Sequence, residues 1–165
     1  MARRTVPAAA PLWDTDRIDS LLSWTLVRAH LVRIPLFFQA LQPLDLTPTH
    51  FGVLVQLSNT PGLSQARLAR RALMTPQSMG ELLLPLERAG LVARGERTGR
   101  GRPIPVSLTE AGRRLLEEAT PLVDAIDTAA SFGLTAAEKA QLNALLHKVV
   151  RHVTDDRPAD DPDPG

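Results

Sequence analysis

Two of the four Thr-Pro pairs, Thr47-Pro48 and Thr75-Pro76, each directly before a run of helical spacing, constrain this chain more than any other feature. A threonine caps the free amides at a helix start, and proline, with its fixed φ and missing N–H, fits the first helical position. Each pair therefore predicts where a helix begins. Gly90 predicts where the second of these helices ends, because glycine readily takes the left-handed backbone of a helix terminus. Ser64 supplies another start. Residues 61–112 then read as a short helix through Arg71 with Leu68 and Ala69 inward, a tight turn at Ala72-Leu73-Met74, and a longer helix over residues 76–89. A strand over residues 91–94, a glycine-rich tip over 98–102 and a return strand over 104–108 follow. Pro105 has no N–H to give a ladder, so it is expected to face the open edge. Pro85 lies inside the longer helix and predicts a kink near residues 81–85.

The flanks are helical. Ile18, Leu21, Leu22, Leu26, Ala29, Val32 and Leu36 recur at helical spacing, which predicts a helix over residues 14–41, kinked or split at Pro35. A helix over 48–58 is expected to bury Phe51, Leu54, Val55 and Leu57. Thr109 opens a long helix with Ala111, Leu115, Leu116, Ala119, Leu122, Val123 and Ile126 as its apolar stripe. Thr135-Ala-Ala-Glu138 reads as a capping box for a last helix ending near residue 153. The first and last helices carry more apolar positions than one small lobe can cover. An obligate homodimer would bury them, although a bundle within one chain remains open.

The fold class predicted is therefore mainly α with a small β-hairpin wing. Its expected domains are a disordered arm (1–12), an N-terminal dimerisation helix region (13–45), a winged helix-turn-helix (46–109), C-terminal dimerisation helices (110–153) and a disordered acidic tail (154–165). The 165 residues contain no cysteine, which removes disulfides and thiolate-bound zinc. No apolar run is long enough to span a bilayer, and no apolar segment follows the two N-terminal arginines, so a cytoplasmic location is expected. There is no nucleophile elbow, phosphate loop or dinucleotide fingerprint, and an enzyme is not expected. The four histidines form no metal-ligand pattern, and no cofactor is implied.

Net charge is only +1, but its distribution is uneven. Residues 61–114 hold ten arginines against four glutamates, a local +6, while the tail after Thr154 holds five aspartates against Arg157. A duplex responds to this local field. The start of the second helix of a helix-turn-helix enters the major groove. Thr75, Gln77 and Ser78 occupy that first turn, and Glu81 lies one turn on. Gln pairs with adenine edges, Ser with several bases, and a carboxylate accepts from cytosine N4. Arg97, Arg100 and Arg102 at the hairpin tip suit an adjacent minor groove. Ser64, Arg67, Arg71 and Arg88 complete the candidate DNA-binding set.

These segments resemble the MarR family of winged-helix regulators. LTPTHFGVLVQL is similar to the family's entry into the DNA-binding domain, LSQARLARRALMTPQSMGELL to its helix-turn-helix, LERAGLVAR to its passage into the wing, VSLTEAGRRLLEEA to the wing exit and long helix, and GLTAAEKAQLNALLHKV to its closing dimerisation helix. Two departures stand out. The family's wing Asp-x-Arg is here Arg100-Gly101-Arg102, and Gly80 and Glu81 stand where the family often has hydroxyl or basic residues. The resemblance implies a homodimeric repressor on a palindromic operator, released by a small aromatic ligand. It places Trp24, His30, Phe37, Phe38, His50 and Phe51 in the segments that would line the effector pocket. The alternative is a winged-helix ligand-binding or protein-interaction module with weak or lost operator binding.

Overall fold

The computed structural model describes residues 15–96 and 103–155, with side chains to residue 152. The chain divides into two compact units, Met1–Leu36 and Phe37–Gly165. Seven α-helices occur among the described residues: α1 (Thr15–Asp19), α2 (Leu22–Leu41), α3 (Pro48–Asn59), α4 (Gln65–Arg71), α5 (Pro76–Arg88), α6 (Glu110–Ile126) and α7 (Ala136–Asp155). None is long and apolar enough to cross a membrane.

Hydroxyl caps start five of them. Thr47 accepts from the His50 amide at 3.1 Å and Ser64 from Arg67 at 3.3 Å. Thr75 accepts from Ser78 at 3.1 Å, Thr109 from Gly112 at 3.0 Å and Thr135 from Glu138 at 3.3 Å. Each bond satisfies an amide that the helix ladder leaves free. At Thr135 the box closes, because its N–H and hydroxyl both donate to Glu138 Oε2 at 2.8 Å. Those two donors, the backbone one first, hold the Glu138 carboxyl below its usual range.

The first helical stretch breaks at Ser20–Leu21, not at Pro35. The Ser20 hydroxyl donates to the Arg17 carbonyl at 2.7 Å, a local bond that competes with the ladder. Arg28 then bridges back to Asp19 at 2.7 Å. Helix α2 continues through Pro35, and α5 continues through Pro85. Both prolines lie on exposed positions, so water can satisfy the carbonyl that loses its partner.

A three-stranded antiparallel sheet joins β1 (Leu63–Ser64), β2 (Val92–Arg94) and β3 (Pro105–Leu108) in the order β1-β3-β2. Val92 pairs with Leu108 and Leu63 with Val106. Pro105 therefore opens the central strand and does not face an open edge. Its position as first residue is the tolerated one, since only one donor is lost. Its carbonyl accepts from Gly95 N at 2.8 Å, and a β-carbon on Gly95 would lie 2.8 Å from the proline ring.

The core lies in the second unit, where Leu54 and Leu57 (α3), Leu68 (α4), Met79 and Leu83 (α5) and Val106 (β3) are sealed from solvent. Val53 is buried on α3, whereas Phe51 and Val55 are only half-buried. On α6 the buried positions are Gly112 and Ala119, and Ala111 is exposed. Gly112 is buried because nothing larger fits. A β-carbon there would lie 2.1 Å from the Leu91 carbonyl oxygen and 2.8 Å from Leu108 Cδ1. Gly52 on α3 is the opposite case, with nothing within 4 Å of its would-be β-carbon.

Alanine at these two positions should act with opposite sign. Gly112→Ala forces backbone apart and is expected to cost about 3 kcal/mol. Gly52→Ala removes a flexible residue from a helix interior and is expected to stabilise by about 0.5–1 kcal/mol. Thermal unfolding of both variants checks this; equal melting temperatures would contradict the geometry.

Candidate nucleic-acid interface and effector segments

Helices α4 and α5 pack through Leu68, Ala69, Met79 and Leu83, with the turn between them at Leu73 in a left-handed conformation (φ 55°). The Met74 amide bonds the Ala69 carbonyl at 2.8 Å and closes that turn. Thr75 then turns the chain into α5, whose end is set by Gly90 at φ 69°. The apolar face of α5 is buried through Met79, Leu83 and Leu86. Its other face exposes Gln77, Glu81, Leu84 and Arg88 at helical spacing.

This arrangement places the candidate DNA-binding residues unequally. Gln77 and Glu81 sit together, with Gln77 Nε2 donating to Glu81 Oε1 at 3.3 Å. Thr75 and Ser78 are tied at the helix start, their hydroxyls 2.9 Å apart. Arg67 and Arg88 are exposed, and Arg71 Nη1 donates to Thr60 Oγ1 at 3.0 Å. Ser64 differs: it is only 8% exposed and its hydroxyl caps α4, which is a structural task. Arg97, Arg100 and Arg102 lie outside the described residues.

Two residues absent from that set join these elements. Gln65 Nε2 donates to the Pro76 carbonyl at 2.7 Å, and Gln65 Oε1 accepts from Arg94 Nη1 at 3.0 Å. Arg94 Nε donates to Glu87 Oε1 at 2.5 Å. Sequence spacing gives no sign of this, because Gln65 and Arg94 are far apart in the chain.

The candidate effector residues are partly gathered. Within the second unit, Phe37 and Phe51 meet edge to face, with centroids 5.9 Å apart at 64°. Phe38 is about half exposed and lines a recess of about 310 Å³ with Gln39, Gln42, Asp45, Leu46 and Thr47. His50 is half-buried beside Thr47. Burial pushes its imidazole pKa below the usual 6.5, and the Asp45 carboxylate opposes that shift more weakly. Trp24 and His30 belong to the first unit and are exposed on α2. A second recess, of about 470 Å³, lies where α6 turns into α7. Phe132, Leu134, Leu142 and Leu146 line it, and Lys139 pairs with Asp127 at 2.6 Å beside it.

Comparison with known proteins adds a lineage to this frame. A model of the MarR family matches residues 44–103. The HTH-type transcriptional repressor Rv2887 of Mycobacterium tuberculosis is 41% identical over 131 residues, covering 79% of this chain and 94% of its own. The crystal structure of Rv2887 with DNA superimposes with a TM-score of 0.65 at 40% identity, over 79% of this chain and 98% of that one. Rv2887 with salicylic acid gives 0.64 at 41% identity, over 79% and 97%. The transcriptional repressor CouR bound to a 23-mer duplex gives 0.75 at 26% identity, over 84% and 99%. Two-fifths identity across nearly the whole of the mycobacterial repressor, on the same winged-helix frame, makes this chain a member of the MarR family of transcriptional regulators.

Proposed function

We propose that the protein is a homodimeric repressor that binds a palindromic operator and is released by a small aromatic acid. The observation that carries this reading is the capped, exposed start of α5, with Gln77 and Glu81 on one outward face. Free amides and the positive dipole end at a helix start favour a nearby phosphate. The side chains of the same turn then reach base edges. The local +6 of residues 61–114 supplies the long-range attraction, and Arg102 supplies a cation for the minor groove beside α5. The DNA complexes of Rv2887 and CouR support this assignment.

The dimer rests on apolar surface. On α7, Leu142, Leu145 and Val149 are 43%, 54% and 42% exposed, and α2 exposes Leu22, Leu31 and Val32 still further. Such stripes are uncommon on the surface of a monomer. A second copy would cover them and set two winged lobes at a fixed spacing.

Selection from a randomised duplex pool tests the operator reading. The recovered duplex should bind with an affinity that falls by orders of magnitude between about 50 and 200 mM salt, as release of several counterions requires. Arg102→Ala should weaken it by about 1–3 kcal/mol. Gln77→Ala should relax base preference more than it lowers affinity for a scrambled duplex. Failure to enrich any duplex at low salt would leave only a ligand-binding or interaction module.

The effector reading uses His50. In the free protein burial favours the neutral imidazole, so protonation weakens folding as pH falls through 6.5. An aromatic carboxylate against His50 would reverse that preference and bind together with a proton. Salicylate affinity, read by calorimetry, should therefore rise as pH falls from about 8 to 6. In His50→Gln that rise should vanish. An unchanged pH profile in the variant would remove His50 from the effector site.

A further inference from the structure

We infer that Gln65 is a positioning residue that fixes the start of α5 relative to the wing, and that position 80 is glycine to make room for it. The inference rests on the operator-binding reading above. One half-buried amide side chain touches three elements. It grows from the first residue of α4. Its Nε2 donates to the carbonyl of Pro76, the first residue of α5, at 2.7 Å. Its Oε1 accepts from Arg94 Nη1 on β2 at 3.0 Å. Arg94 closes the circuit by donating through Nε to Glu87, near the end of the same α5.

The two ends of α5 and the strand that leads to the wing are thus joined through Gln65 and Arg94. The Pro76 carbonyl already belongs to the helix ladder, whose partner there is the amide of residue 80. Gln65 uses the second lone pair of that oxygen, so its amide group must lie directly over residue 80. A β-carbon on Gly80 would sit 2.8 Å from Gln65 Nε2 and 3.4 Å from its Cδ. Moving Nε2 away from such a carbon would break its 2.7 Å bond to the Pro76 carbonyl and shift the amide whose oxygen meets Arg94. That explains why Gly80 interrupts a helix in which any other residue would lower the backbone entropy cost.

A solvent-accessible ion pair such as Arg94–Glu87, its side chains 32% and 25% exposed, adds little stability. What the circuit supplies is angle: Gln77 and Glu81 must meet one groove while the wing meets the next. A small rotation of α5 against β2 would break that match without unfolding the core. Gln65 need not touch DNA to act in this way.

The test is a double-mutant cycle on the full chain with Gln65→Ala, Gly80→Ala and both together. Affinity is measured for a duplex selected by the wild type and for a scrambled duplex of the same length. Each single change is expected to weaken the selected duplex roughly tenfold, and the double change by no more than either alone. The scrambled duplex should be bound within about twofold of wild type throughout, because phosphate contacts tolerate rotation. Gln65→Glu keeps the acceptor for Arg94 but loses the donor to Pro76, and should resemble Gln65→Ala on the selected duplex. Singles that bind like wild type, effects that multiply in the double, or equal loss on both duplexes would overturn the proposal. A Gly80→Ala loss that persists in full on top of Gln65→Ala would instead assign Gly80 to close approach of the DNA, and would also overturn it. If the wild type selects no duplex, the operator reading fails, and melting still decides the packing. Gly80→Ala should lower the melting temperature in the wild type but not in Gln65→Ala, and a drop of equal size in both would refute the pairing of Gln65 with Gly80.

Discussion

Gly112 lets helix α6 come so close to the chain leaving α5 that a β-carbon there would lie 2.1 Å from the Leu91 carbonyl oxygen. That same oxygen accepts from the Thr109 amide at 3.0 Å and from the Thr109 hydroxyl at 3.1 Å. The hydroxyl also contacts the Gly90 carbonyl at 2.7 Å and caps α6 through the Gly112 amide. Three junctions therefore share one small volume: the end of α5, the start of β2 and the start of α6. The left-handed Gly90 delivers Leu91 to it, and the absence of a side chain at residue 112 lets it close. Without that closure, the strands β2 and β3 would have no fixed relation to the long helix, and the wing would have no fixed relation to α5.

Around this junction the forces divide by kind. The apolar core supplies the stability, since each fully buried Leu or Met contributes about 1.5–3 kcal/mol relative to exposure. Hydroxyl caps add about 1 kcal/mol each and fix where helices begin. The partly exposed polar circuit from Gln65 through Arg94 to Glu87 adds little energy by comparison. Its proposed value lies in orientation, which reading two neighbouring grooves would demand. The chain thus separates what holds the lobe together from what aims it.

Much of this frame is legible in the residues. Thr47, Ser64, Thr75 and Thr135 announce their helices, and all four hydroxyls cap as their neighbours Pro48, Pro76 and Glu138 suggest. Gly90 announces the end of α5 for an equally local reason. What escapes the sequence is tertiary. β1 is two residues long, too short to carry an alternation pattern, and its presence turns β3 from an edge strand into the central one. Periodicity cannot distinguish Val53 from Val55, because the direction of the core depends on how α3 meets α6 and β3. Pro35 looks like a breaker, yet the exposed face of α2 tolerates it, while a single serine hydroxyl ends α1. The pairing of Gln65 with Gly80 and the demand on Gly112 are close approaches between distant segments, which no local pattern encodes. The wing arginines were legible as charge, but their geometry lies beyond the described residues.

Hydroxyl-radical footprinting on a selected duplex decides whether two copies of the chain present α5 and the wing to adjoining grooves. A dimer should leave two equal zones of protection related by a dyad, their centres about one helical turn apart, with cleavage suppressed in the minor groove flanking each half-site. A single asymmetric zone, or uniform cleavage at concentrations where the duplex is bound, would contradict it.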